Sequence, residues 1–151
     1  MQGSQNPMGA ADPFNLARFV QAQEPVYGSV LRELQKGRKT THWIWFIFPQ
    51  LRRLGYSSTS KHFAISGREE AQKYLNHPVL GARLVECARI VVGHAGRSAL
   101  DIFGSPDDIK LRSCMTLFGT VPGAAPVFAQ VLEGFFEGER DAKTLKLLSQ
   151  G

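Results

Sequence analysis

Apolar residues recur along much of this chain at spacings of three and four, the repeat of an amphipathic helix. Three stripes are clear: Leu80, Leu84, Cys87/Ala88 and Val91; Leu111, Cys114, Met115 and Phe118; Phe128, Val131, Leu132 and Phe135. The first predicts a helix over residues 79–94, entered after His77-Pro78. The second begins at Ser105-Pro106-Asp107-Asp108, where a capping serine, a proline and two acids suit a helix start. The third ends at Gly138, after which Asp141 caps a last short helix carrying Leu145 and Leu148.

Earlier segments are shorter. Asp12-Pro13 predicts an N-cap and a proline in the first turn, with Phe14, Ala17 and Val20 on the apolar face. Pro25 interrupts that helix, and Val26/Tyr27, Val30/Leu31 and Leu34 carry the next one to Gly37, a C-terminal cap. Ser66-Gly67-Arg68-Glu69 has the form of a capping box, followed by a helix to about Asn76 with Ala71, Tyr74 and Leu75 inward. Residues 51–60 read as an irregular loop, 61–65 as one short turn, and 98–104 as a connector that buries Ile102 and Phe103.

One stretch departs from any clean period. His42-Trp43-Ile44-Trp45-Phe46-Ile47-Phe48-Pro49-Gln50 holds both tryptophans and six consecutive apolar residues. Each aromatic can bury roughly 150–250 Å², so the fold is expected to wrap around this segment as a short buried helix. The run is far shorter than the roughly 20 apolar residues of a membrane span. The pattern as a whole predicts a mainly α protein: a single multihelical globular domain over residues 12–151 with irregular connecting loops. Residues 1–11, rich in Gln, Gly, Ser and Asn, are expected to form a disordered tail.

Composition changes this picture little. A length of 151 residues suits one domain with a real core, and 43% apolar with 21% charged residues is ordinary for a soluble protein. The start of the chain lacks the basic and apolar regions of a secretion signal. Cys87 and Cys114 sit in apolar stripes, which predicts buried free thiols and a cytoplasmic location. The net charge of +5 is uneven, with 13 Lys/Arg against 6 Asp/Glu in residues 1–100 and 5 against 7 thereafter. The basic residues are scattered rather than gathered in one tract, so a solvated surface is favoured over nucleic-acid binding. No membrane association is expected.

Motifs for phosphate loops, serine hydrolases and zinc proteases are missing, and His42, His62, His77 and His94 have no short metal-ligand spacing. Neither a metal nor a cofactor is expected. Two clusters carry candidate chemistry. In the first, His42, Trp43, Trp45 and Gln50 place a polar edge beside large rings, a combination that binds flat ligands. Its bland alternative is two core tryptophans and an amide that satisfies loop backbone. In the second, Asp101, Asp107, Asp108, Lys110, Ser113 and Thr116 offer carboxylate, ammonium and hydroxyl groups at helical spacing. They suit a ribose or phosphate and acid–base work. The alternative there is a well-capped helix with an i,i+3 ion pair.

Several segments carry a family resemblance: Gly37-Arg38-Lys39, the block from His42 to Leu51, Leu54-Gly55-Tyr56-Ser57, His77-Pro78-Val79-Leu80-Gly81, Ile102-Phe103-Gly104 and Ser113-Cys114-Met115-Thr116-Leu117-Phe118. Over about residues 13–149 the chain resembles the small bacterial domain-of-unknown-function family sometimes mislabelled "calpastatin". It is more distantly similar to the NADAR (NAD and ADP-ribose associated) group, which includes N-glycosidases. Trp43 and Gln50 match part of the NADAR pattern, and Lys110 and Met115 match its late helix, but no Glu lies between Trp43 and Gln50. The resemblance implies a helical fold and a nucleotide or ADP-ribose-like ligand, with N-glycosidic hydrolysis as the associated reaction. Trp43 or Trp45 would then stack the base, Gln50 read its edge and Lys110 hold phosphate or ribose, with Asp101, Asp107 or Asp108 stabilising an oxocarbenium-like transition state or activating water. The rival is a non-enzymatic interaction module that docks a partner through the aromatic loop and Arg52-Arg53.

Overall fold

Where proline, glycine and capping groups interrupt the apolar stripes, the chain breaks into many short helices rather than a few long ones. The computed structural model describes residues 11–54 and 57–150. Apart from Ala11, the expected tail lies outside the described residues. Ten helices are present among them: α1 (Ala17–Gln23), α2 (Tyr27–Lys36), α3 (Ile44–Ile47), α4 (Ser58–His62), α5 (Arg68–Asn76), α6 (Leu80–Val92), α7 (Ala99–Phe103), α8 (Asp107–Gly119), α9 (Val127–Phe136) and α10 (Ala142–Gln150). The described residues form no strand, and the mainly α expectation holds. An isolated bridge joins Leu51 to Ile65, with Ile65 N–H donating to the Gln50 carbonyl (3.0 Å) and Arg52 N–H to the Ile65 carbonyl (2.8 Å).

The three long stripes are the core faces that their spacing predicts. Leu80, Leu84, Cys87, Ala88 and Val91 are buried on α6, as are Leu111, Cys114, Met115 and Phe118 on α8. On α9, Val127, Phe128, Val131 and Leu132 are buried, and Phe135 is half-buried. The centre of the molecule, however, is α8 rather than the aromatic block. Every residue from Ser113 to Phe118 is buried, so this stretch is enclosed on all sides, and α3, α5, α7, α9 and α10 all pack on it. A helix buried around its full circumference is the interior element of a helical domain.

Several boundaries differ from the sequence expectations for identifiable reasons. Leu16, not Asp12, holds the N-cap position of α1, although the Asp12 carboxylate accepts from the N–H groups of Leu16 (2.7 Å) and Ala17 (3.0 Å). The helix nevertheless starts only at Ala17, because Asn15 holds a left-handed φ of 52°. Its inward face is therefore Leu16, Phe19 and Gln23, while Phe14, Ala17 and Val20 are half-buried. The expected capping box before α5 does not form: Gly67 holds the N-cap position, and no side chain caps the helix from there. Glu70, not Glu69, reaches back to Ser66 N–H (2.8 Å), and Glu70 also pairs with Arg18 (3.0 Å). The 98–104 connector contains helix α7, capped by the Ser98 hydroxyl, which accepts from Asp101 N–H (3.0 Å). Ser105 does not cap α8; Pro106 holds the N-cap position.

Candidate functional site

Sequence-distant residues meet where α3, the following loop, α4, the start of α8 and the start of α10 come together. Pro49 ends the aromatic block, and the bridge to Ile65 then pins the backbone of Gln50. Ser57 caps α4 by accepting from Ser60 N–H (3.0 Å), which brings the Ser57 and Ser60 hydroxyls together, also at 3.0 Å. The first turns of α8 supply Ile109, Lys110 and Ser113, and the start of α10 supplies Asp141 and Lys143. Gln50, Ser57, Ser60, Lys110, Asp141 and Lys143 line a cleft of about 430 Å³, with Ser113 and the apolar Leu54, Pro106 and Ile109 completing it. A small void of about 10 Å³ adjoins it, shared by Trp45, Gln50, Ser60 and Lys110.

Polar side chains are set in a largely apolar cleft wall, and an unmet donor lies at the adjoining void. Lys110 Nζ lies 5.3 Å from the centre of a Trp45 ring and 3.8 Å from Asp107. The Trp45 Nε1 is buried without a hydrogen-bond partner among the described residues. A void of about 10 Å³ is at the lower limit for one water molecule. Asp107 also receives Lys39 Nζ at 2.8 Å, and that ammonium sits 5.1 Å from a Trp43 ring centre. The chain Lys39–Asp107–Lys110 thus ties the loop before the aromatic block to α8 and holds the Lys110 ammonium over Trp45.

The candidate residues separate into two groups. Trp45, Gln50, Lys110 and Ser113 converge on the cleft and its void. Trp43 does not: it is 1% exposed, packs against Phe48 and Phe103, and donates its Nε1–H to Glu33 at 2.9 Å. It is a core residue. His42 and Asp101 are exposed, and neither borders the cleft. Asp107 orients Lys110 from behind without lining the cleft, and Asp108 holds one buried oxygen with no partner among the described residues. Thr116 is buried, and its hydroxyl accepts from Asp141 N–H (2.9 Å).

Two contributors escaped the sequence reading. Asp141 reads there only as a cap, and it does cap α10, accepting from Thr144 N–H (3.0 Å) and from the Thr144 hydroxyl. It also accepts from Ser113 (3.3 Å), which brings a carboxylate to the cleft wall. Glu33 accepts from Thr40 N–H, Thr41 N–H, the Thr41 hydroxyl and Trp43 Nε1. Burial alone would raise its pKa, but the hydrogen bonds from Thr41, Thr40 and Trp43 outweigh burial and lower it to about 2. No local motif announces either role. Only the folded arrangement brings these groups together.

Among the described residues, no group of three or more His, Cys, Asp or Glu is placed to hold a metal, and no helix is long and apolar enough to cross a membrane. No curated protein matches the chain. The chain is similar to the conserved hypothetical protein Rv1873 from Mycobacterium tuberculosis, seen in a crystal structure. The two share 51% identity and a TM-score of 0.89, with 91% of this chain and 99% of that one covered. The model of a protein family of unknown function, DUF1810, matches residues 13–148, nearly the span over which the sequence resemblance runs. This chain therefore belongs to the DUF1810 family.

Proposed function

We propose that the cleft between α3, α4, α8 and α10 binds a small nucleotide-like or ADP-ribose-like molecule. The observation that carries this reading is the meeting of Gln50, Lys110 and Ser113 on the cleft, with Trp45 beside Gln50 and Lys110 at the small void that adjoins it. A volume of about 430 Å³ lies within the roughly 300–1,000 Å³ typical of small-molecule sites. Lys110 and Lys143 supply positive charge for phosphate, Ser57, Ser60 and Ser113 supply hydroxyls, and Leu54, Pro106 and Ile109 supply an apolar wall. Base recognition falls to Trp45 and Gln50, because Trp43 is enclosed in the core. The distant NADAR resemblance read from the sequence implies the same ligand class and is part of this proposal.

Binding is better supported than turnover. N-glycosidic hydrolysis needs a carboxylate free to activate water or to stabilise positive charge on the sugar. The carboxylate on the cleft wall, Asp141, is occupied by Thr144 and Ser113, and Asp107 is held between two lysines. Docking of a partner through the aromatic loop has less support. Trp43, Ile44, Ile47 and Phe48 are buried, and Trp45 and Phe46 are half-buried.

The test is a thermal-shift and tryptophan-fluorescence titration with ADP-ribose, NAD and AMP. A ligand of the folded state raises the melting temperature by mass action. A saturable rise with at least one of the three is expected, accompanied by an emission change that Trp45→Phe removes. Lys110→Ala is expected to weaken binding about tenfold or more, since a lost charge-assisted contact is worth about 1.5–3 kcal/mol. Silence across all three compounds, or unchanged affinity in Lys110→Ala, would sink the reading.

A further inference from the structure

A second concavity, larger than the first, lies on the other side of the loop that follows the aromatic block. It encloses about 620 Å³, and its rim carries three arginines, Arg52, Arg53 and Arg68. All three are exposed, and none forms an ion pair among the described residues. Two glutamates also border it. Glu70 is already neutralised by Arg18 at 3.0 Å and hydrogen-bonded by Ser66 N–H, which leaves Glu69 as the one acid to set against three guanidinium groups. These acids occupy the first turn of α5, so the attraction for an anion comes from the arginine side chains and not from the helix end.

The arginines are held in place by backbone that the core anchors. Leu51 is buried and bridged to Ile65, and Arg52 N–H donates to the Ile65 carbonyl at 2.8 Å. Arg53 then adopts a φ of 80°, in the left-handed region that favours glycine. Three guanidinium groups that line one cleft without carboxylate partners give it a positive field that attracts an anion. Guanidinium is the side chain best matched to paired oxyanions, because its planar fork donates two parallel hydrogen bonds. Phe14, Leu51, Leu147 and Leu148 add apolar surface to the same lining.

We infer that this cleft is a binding site for a small polyanion, one carrying two or more adjacent phosphoryl or carboxylate groups on an apolar body. The charged end is gripped by Arg52, Arg53 and Arg68, and the body lies against Phe14 and the leucines of α10. The site is distinct from the Lys110 cleft. Gln50 and Leu54 line that cleft, whereas Leu51, Arg52 and Arg53 line this one.

Calorimetric titration of the full chain with pyrophosphate, citrate and hexyl diphosphate, at low and at physiological salt, tests it. Saturable binding is expected, tighter for hexyl diphosphate than for pyrophosphate and weaker at the higher salt. Pyrophosphate binding more tightly than citrate identifies a phosphoryl ligand; the reverse order identifies a polycarboxylate. The double variant Arg52→Gln/Arg68→Gln is expected to lose at least tenfold in affinity with its circular dichroism unchanged, and single Arg68→Gln carries the same test with a smaller loss. Equal affinity in these variants, or no saturable binding at low salt, would overturn the proposal. So would a loss confined to Lys110→Ala, which would assign the anion to the first cleft. Loss in the arginine variants with Lys110→Ala unaffected upholds this site whatever becomes of the nucleotide reading.

Discussion

Glu33 gathers four donors onto one carboxylate, from Thr40, Thr41 and Trp43, and so fixes the loop that leads into the aromatic helix. Its pKa falls from 4.5 in the ordinary state to about 2, the hydrogen bonds overriding the upward pull of burial. A group whose folded pKa is depressed contributes stability that is full above its unfolded pKa and lost as pH falls through the folded one. Stability should therefore decline between about pH 4.5 and pH 2. After discounting for solvent screening of a half-buried group, we expect roughly 1–2 kcal/mol from this residue. Glu33→Gln keeps an acceptor for Trp43 while abolishing the charge, so it should flatten that acid limb. Glu33→Ala should cost about 2 kcal/mol at neutral pH by leaving the donors unmet. Urea denaturation of the three proteins at pH 7 and pH 3 reads both effects. An acid limb as steep in Glu33→Gln as in the parent would remove Glu33 as its source.

At the scale of elements, the tightest approach is between α5 and α6. A Cβ on Gly81 would lie 1.9 Å from the Leu75 carbonyl oxygen, and backbone cannot swing aside as a long side chain can. Gly81→Ala should force the two helices apart and cost roughly 2–4 kcal/mol, read as a lower denaturation midpoint. Gly67→Ala makes a useful control, since a Cβ there meets nothing within 4 Å. An unchanged midpoint in Gly81→Ala would mean that the helices pack less closely than described. The sequence shows Gly81 only as a glycine near a helix start, because the clash depends on how the His77-Pro78 turn folds α6 back onto α5. Long stripes such as those of α6 and α8 were legible because burial imposes the helical period directly on residue type. Caps were less legible: Asp12 and Glu70 accept backbone N–H groups ahead of α1 and α5, but Leu16, Gly67 and Pro106 hold the N-cap positions of α1, α5 and α8 without a side-chain cap. The candidate site was half legible. Aromatic and amide side chains beside a lysine mark a candidate cluster, yet nothing in the local pattern distinguishes Trp43, anchored to Glu33 in the core, from Trp45 at the small void beside the cleft.

At the scale of the whole molecule, burial sorts the helices into an order of local stability. Opening α8 exposes Leu111 together with every residue from Ser113 to Phe118, and disturbs the five helices packed on it. Its amides can exchange with solvent only when the domain unfolds globally. Helix α4 buries no residue, and its opening exposes little. Hydrogen exchange is therefore expected to be slowest in α8, with α6 and α9 next, and fastest in α4. Helix α10 should fall between them: Leu148 and Thr144 anchor it, but half of its surface faces water. That intermediate standing bears on both proposals, because Asp141 and Lys143 border the first cleft while Leu147 and Leu148 border the second. A ligand in either cleft stabilises the closed state of α10 by mass action and should slow exchange there selectively, with α8 already at its global limit. If α10 exchanged as slowly as α8 without ligand, the helix would be part of the rigid core. The clefts would then be fixed grooves rather than sites that tighten on what they bind.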